Sequence, residues 1–99
     1  MEYLIVSTTI DNKKDAKRLA RKIILAKLGA CAQISKIKSY YKWKGKIEFN
    51  EEFKIEIKTL SKNYKKLENF IIKNHKYEVP EIISIKIIKG YKNYLNWIK

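Results

Sequence analysis

The chain has 99 residues, 45% hydrophobic and 12% aromatic, enough for one domain (1–99) with a modest core and too apolar for disorder. Its formal charge is +13, but 45 residues are Lys, Ile or Asn and the only arginines are Arg18 and Arg21, so the charge reads as lysine-rich composition rather than a phosphate-reading surface. A single cysteine, Cys31, excludes an intramolecular disulfide and fits a reducing compartment, and no segment nears the roughly 20 apolar residues of a membrane span.

Residues 2–9 read as a strand, dense in β-branched and bulky side chains. Only Leu4-Ile5-Val6, behind Glu2, is apolar near the N-terminus, unlike a secretion signal, so a cytoplasmic location is expected. Asp11 is the expected N-cap of a helix. Its apolar stripe is Ala16, Leu19, Ala20, Ile23 and Ile24, lysines and Arg18 lie opposite, and Gly29 is the expected stop. Residues 30–43 read as a long strand. Its apolar phase moves from Ala30, Ala32 and Ile34 to Ile37, Tyr41 and Trp43, which predicts a bulge near Ser35-Lys36.

Lys44-Gly45-Lys46 then turns the chain into a returning strand. Ile47, Phe49, Phe53, Ile55 and Ile57 hold one phase of it, and Lys54, Glu56 and Lys58 the other. Ser61 is the expected cap of a second helix whose inward face is Tyr64, Leu67 and Ile71, with His75 continuing that face at the helix end. Pro80 opens a final strand over 81–88, Gly90 ends it, and Tyr94, Leu95 and Ile98 suit a short terminal helix.

The order βαββαβ has one economical solution: two interleaved right-handed crossovers. The fold class is therefore α+β, a ferredoxin-like sandwich with both helices on one face of an antiparallel sheet. The second and third strands form a long hairpin, and a short C-terminal helix follows. Leu4, Val6, Ile82 and Ile88 are the candidates for the uncovered face, which predicts burial against other copies of the chain.

Cys31 is a soft donor and His75 a borderline one, so copper or zinc could use both. They lie 44 positions apart, and no CxxC, HxxxH or HxH spacing accompanies them. Both also have plain structural roles, Cys31 as a small core residue and His75 at the negative end of a helix. No nucleophile–base motif or phosphate loop suggests catalysis, so no enzymatic activity is expected.

Four motifs carry a resemblance: "KLGACAQI" (27–34), "YKWKGKI" (41–47), "IEIKT" (55–59) and "HKYEVPEI" (75–82). In this order they resemble the CutA divalent-cation tolerance family. The resemblance implies a ferredoxin-like homotrimer similar to the PII signalling proteins, binding divalent or soft cations in metal tolerance. With the donor chemistry of Cys31 and His75 as candidate ligands, the expected cofactor is a weakly bound divalent metal, copper first and zinc second. The resemblance also places Cys31, Trp43, Lys58, His75, Tyr77 and Glu81 in an inter-subunit cleft. Two other readings stay open. One is a PII-like sensor of an anionic ligand near Lys58. The other is an RRM-like RNA module using "SYYKWKGK" (39–46), although "EEFKIEIK" (51–58) lacks the RNP1 pattern. Neither a membrane nor a nucleic acid is the favoured partner.

Overall fold

The computed structural model describes all 99 residues. Strands β1 (Tyr3–Ile10), β2 (Cys31–Trp43), β3 (Lys46–Leu60) and β4 (Ile82–Lys86) form one sheet in the order β2-β3-β1-β4. All neighbouring pairs are antiparallel. Helices α1 (Lys13–Leu25) and α2 (Tyr64–Asn74) are the two crossovers, α3 (Lys92–Ile98) ends the chain, and a single 3₁₀ turn, Ser61–Asn63, leads into α2. This is the ferredoxin-like α+β arrangement that the element order implies.

The core lies between the helices and one sheet face. Leu4, Val6 and Ile10 of β1 and Ile55 and Ile57 of β3 meet Ala16, Leu19, Ala20 and Ile23 of α1 and Leu67 and Ile71 of α2. Each large aliphatic side chain buried there contributes about 1.5–3 kcal/mol relative to exposure. Ile24, at the edge of the stripe, stays exposed.

Two capping expectations fail for local reasons. Asn12, not Asp11, caps α1: its side chain accepts the Asp15 N–H at 3.0 Å, leaving Asp11 free for Lys76. Ser61 makes no side-chain cap; its backbone N–H donates to the Glu2 carbonyl, spending the residue on joining β3 to β1. Gly29 does not stop α1 either. Lys27 takes the left-handed conformation there, at φ 60°. Gly29 serves close packing, because a Cβ on it would collide with Cγ2 of fully buried Ile57.

The expected bulge is absent. Every pair from Cys31↔Lys58 to Trp43↔Lys46 holds the same register. On this unbroken ladder β2 turns Ala32 and Ile34 to the helix side and Ile37, Tyr41 and Trp43 to the bare face, while Ile47 and Phe49 of β3 stay on the helix side and are exposed where the hairpin outruns the helices. Lys44 and Gly45, both at positive φ (51° and 79°), close the hairpin in two residues. The molecule measures 45 × 25 × 22 Å.

The assignment of faces is also corrected. Leu4 and Val6 are buried under the helices, and Ile82 shares their side through its pairing with Thr8. Ile88 lies beyond the end of β4. The uncovered face instead carries Ile5, Ile83 and Ile85, the last two 48% and 57% exposed. The tight contact at Gly29 gives a test. Gly29→Ala is expected to cost about 1–3 kcal/mol by overpacking, read from urea unfolding; an unshifted midpoint would show that Ile57 yields freely.

Candidate functional site

Near the outer end of β1, the odd residues of β2 and the even residues of β3 share the uncovered face. Tyr41 stands opposite Glu48, and Ile37 opposite Glu52. The segment leaving α2 comes to the same region because His75 holds it there. His75 Nδ1 accepts the Tyr77 N–H at 3.0 Å, so Nε2 carries the ring proton and donates to the Thr9 carbonyl at 2.8 Å. His75 is itself the C-cap of α2, in extended geometry. One imidazole thus joins the end of a helix to the end of the first strand, and both its nitrogens are engaged.

Beyond this pin, the Tyr77 hydroxyl donates to Glu52 Oε2 at 2.8 Å. Glu52 is only 7% exposed and receives no other donor. Burial first, then the hydrogen bond to Glu52, then the negative charges of Glu52 and Asp11, push the Tyr77 phenol above the ordinary range. Lys76 lies outside, with Nζ 2.6 Å from Asp11 and 3.2 Å from Asp15, and these carboxylates raise its pKa, Asp11 most.

The result is a cleft of about 530 Å³. Asp11, Glu48, Glu52, Glu78 and Glu81 line it with Tyr41, Trp43 and Tyr77. Five of the chain's ten acidic residues are there, and none of its 23 lysines and arginines. Ion pairing sharpens the contrast. Asp11 has Lys76, whereas Glu48, Glu52, Glu78 and Glu81 have no basic partner. Every other acidic side chain of the chain has one. The unpaired negative charge is gathered in one place.

Of the residues singled out in the sequence, Trp43, Tyr77 and Glu81 line the cleft. His75 stands behind it as the pin. Cys31 and Lys58 pair with each other at the other end of the sheet. Lys58 pairs Ile5, four residues along β1 from Thr9, which separates Cys31 from His75 by roughly 13 Å along the strand. Lys58 Nζ donates to Gln33 and lies 5.9 Å from the Tyr94 ring. Asp11, Tyr41, Glu48, Glu52 and Glu78 were not singled out. The alternation that puts Tyr41 and Trp43 on one face also puts Glu48 and Glu52 beside them, so part of the cleft was available from spacing alone.

No three His, Cys, Asp or Glu side chains come together closely enough to enclose a metal ion. A closed structural site within one chain therefore does not fit these residues. A hydrated cation held through one or two carboxylates does.

A profile of the CutA1 divalent ion tolerance protein family matches residues 4–99. The chain belongs to the CutA family. It is 37% identical over 90 residues to the divalent-cation tolerance protein CutA of Archaeoglobus fulgidus, covering 91% of this chain and 88% of that protein. It is also 37% identical over 97 residues to the chloroplastic protein CutA of Arabidopsis thaliana, covering 97% of this chain. The chain spans about half the length (53%) of that plant relative. Among solved structures, CutA1 from Oryza sativa matches with a TM-score of 0.96 at 38% identity, over 99% of this chain and 91% of that one. The A. fulgidus structure, described as a periplasmic divalent cation tolerance protein CutA, gives 0.95 at 34%, over 97% and 94%. No helix of this CutA chain is long and apolar enough to cross a membrane.

The buried phenol makes a pH prediction. Unfolded Tyr77 loses its proton near the ordinary phenol value of about 10, while folded Tyr77 keeps it. Above that pH the unfolded state therefore binds fewer protons, and stability falls as pH rises; below it the contribution is complete. Burial and the hydrogen bond to Glu68 raise the Tyr64 phenol as well, so in an alkaline absorbance titration the late-ionising tyrosines should include both, and Tyr77→Phe should lower the late amplitude by one tyrosine. A late amplitude unchanged in the variant would contradict this assignment.

Proposed function

We propose that this CutA chain is a cytoplasmic, homotrimeric divalent-cation-binding protein, without enzymatic activity, that serves heavy-metal tolerance with a weakly held copper-type ion. The observation that carries this reading is the sorting of charge. In a chain of net charge +13, the four carboxylates without a basic partner all line one cleft. A cation entering it meets uncompensated negative charge, and Coulomb attraction there is stronger than at an open surface. The family's divalent-ion tolerance description supports the same reading.

The bare sheet face supports the assembly. Ile5, Ile83 and Ile85 are on the face that the helices leave bare, and burial against copies of the chain removes them from water. Cys31, the only thiol, shares that face opposite Lys58. One chain supplies too few donors to enclose an ion, so a neighbouring subunit is the natural source of the rest, and zinc is the second candidate ion. His75 contributes by holding Tyr77 against Glu52, since its own nitrogens are occupied.

The cleft itself has no basic lining, which favours a cation there. The decisive experiment is calorimetric titration of copper(II) into wild type, Glu48→Gln/Glu81→Gln, Cys31→Ser and His75→Ala. The double glutamine variant is expected to lose about tenfold or more in affinity, equivalent to roughly 1.4 kcal/mol. Cys31→Ser should keep binding at the cleft, and His75→Ala should mainly lower the unfolding midpoint. Unchanged binding in the glutamine variant would overturn the proposal.

A further inference from the structure

Residues 75–81 form no helix or strand, and residues 76–81 make no backbone–backbone hydrogen bond. Lys76, Glu78 and Glu81 are exposed, and Val79 is 75% exposed, so little packing holds the segment. Side chains fasten it instead. The His75 imidazole bonds to the Tyr77 N–H and the Thr9 carbonyl, the Tyr77 hydroxyl to Glu52, and the Lys76 ammonium to Asp11 and Asp15. The Tyr77 N–H is the only main-chain group of 76–81 with a hydrogen bond, and its acceptor is His75 Nδ1. This strap is one wall of the cleft, to which it brings Tyr77, Glu78, Val79 and Glu81.

Imidazole is the one kind of group among these fasteners whose charge ordinarily changes between about pH 5 and 8. The upward shifts of Tyr77 and Lys76 carry both further from that range. A ring protonated at Nε2 alone suits both of its bonds. A second proton goes on Nδ1, the atom that accepts the Tyr77 N–H. Two N–H groups then face each other across 3.0 Å, and the bond becomes a repulsion. The Thr9 bond survives, because Nε2 remains a donor. Around the ring, its own segment brings Tyr77, at 4.7 Å between ring centroids, and Lys76, and α2 brings Lys73. From β1 comes Asp11 just past its end, from α1 Asp15, Arg18 and Lys22, and from β3 Glu52, behind the Tyr77 hydroxyl, and Lys54, opposite Thr9. None of these carboxylates pairs with the imidazole, so a doubly protonated ring meets no counter-ion.

We propose that His75 is an acid-sensitive catch on the cleft wall: a proton from solvent on Nδ1 releases the Tyr77 main chain and frees residues 76–81 to leave β3. The ring is half-buried, so solvent protons reach it. Neutral and alkaline pH keep the strap docked. Docking is lost as pH falls through the imidazole range, and it returns when the proton leaves. Glu78 and Glu81 move with the strap, so acid takes two of the cleft's four unpaired carboxylates out of position. That consequence for binding rests on the cleft being a cation site; the release itself does not.

The chain has one histidine, so the unaltered protein can be tested. NMR of the isotope-labelled full chain, from about pH 8 to about pH 5, reads the imidazole signals, the Tyr77 amide signal and its hydrogen exchange, corrected for the intrinsic chemical rate at each pH. The ring and the Tyr77 amide should titrate with one midpoint. Protection of that amide should fall roughly fivefold or more at the acid end, while the amides of β1 and β3 stay protected. Tyr77→Phe, which loses the bond to Glu52 and keeps the catch, should show the same midpoint. His75→Gln, whose side chain does not titrate, should show protection that is independent of pH. A ring that titrates without change at Tyr77 overturns the proposal. So does a ring that keeps one state over the whole range, or an acid loss of protection that persists in His75→Gln. No readout here uses a metal, so failure of the cation reading leaves this result standing.

Discussion

A single sheet has two faces, and this chain has crossover helices for only one of them. Most other features follow from that constraint. The covered face takes Leu4, Val6, Ile55 and Ile57 and the buried stripes of α1 and α2. The other face keeps Ile5, Ile83 and Ile85 in reach of solvent at its middle, Cys31 and Lys58 near one end and the acidic cleft near the other. The proposed assembly and the proposed cation site therefore depend on one surface, and the hairpin that runs past the helices enlarges it.

At the cleft end the geometry depends on His75. Its two hydrogen bonds, each worth on the order of 1 kcal/mol, fix where the chain leaves α2 and so where Tyr77, Glu78 and Glu81 face β3. "HKYEVPEI" is thus a handover from helix to strand and a wall of the cleft at the same time. Binding chemistry is carried by the residues after the histidine, while the histidine positions them.

The alternation of side chains made the sheet, the long hairpin and the crossover helices legible in the sequence. It failed where two causes give one pattern. The phase change in β2 looked like a bulge because a flipped backbone and apolar residues set on both faces of a straight strand give the same shift from even to odd positions; the unbroken register excludes the flip. Over residues 82–88 isoleucines occupy both phases (82 and 88; 83, 85 and 87), so apolarity alone does not tell the faces apart, and Ile82 was assigned to the bare face that Ile83 and Ile85 occupy. Trp43, Tyr77 and Glu81 were singled out through their motifs as part of a cleft between subunits, and they line this cleft of the single chain. Glu48, Glu52 and Glu78 were not, because a carboxylate among lysines is expected to be paired, and which ones stay unpaired is decided by tertiary contacts.

The face left bare by the helices is most directly tested by sedimentation equilibrium over a wide concentration range, comparing wild type with Ile85→Glu. Wild type should sediment at three times the chain mass, and the glutamate, buried against another subunit without a partner, should drive the variant toward monomer while leaving its helical content intact. A monomeric wild type at high concentration, or a variant that assembles as well as wild type, would contradict burial of this face between copies.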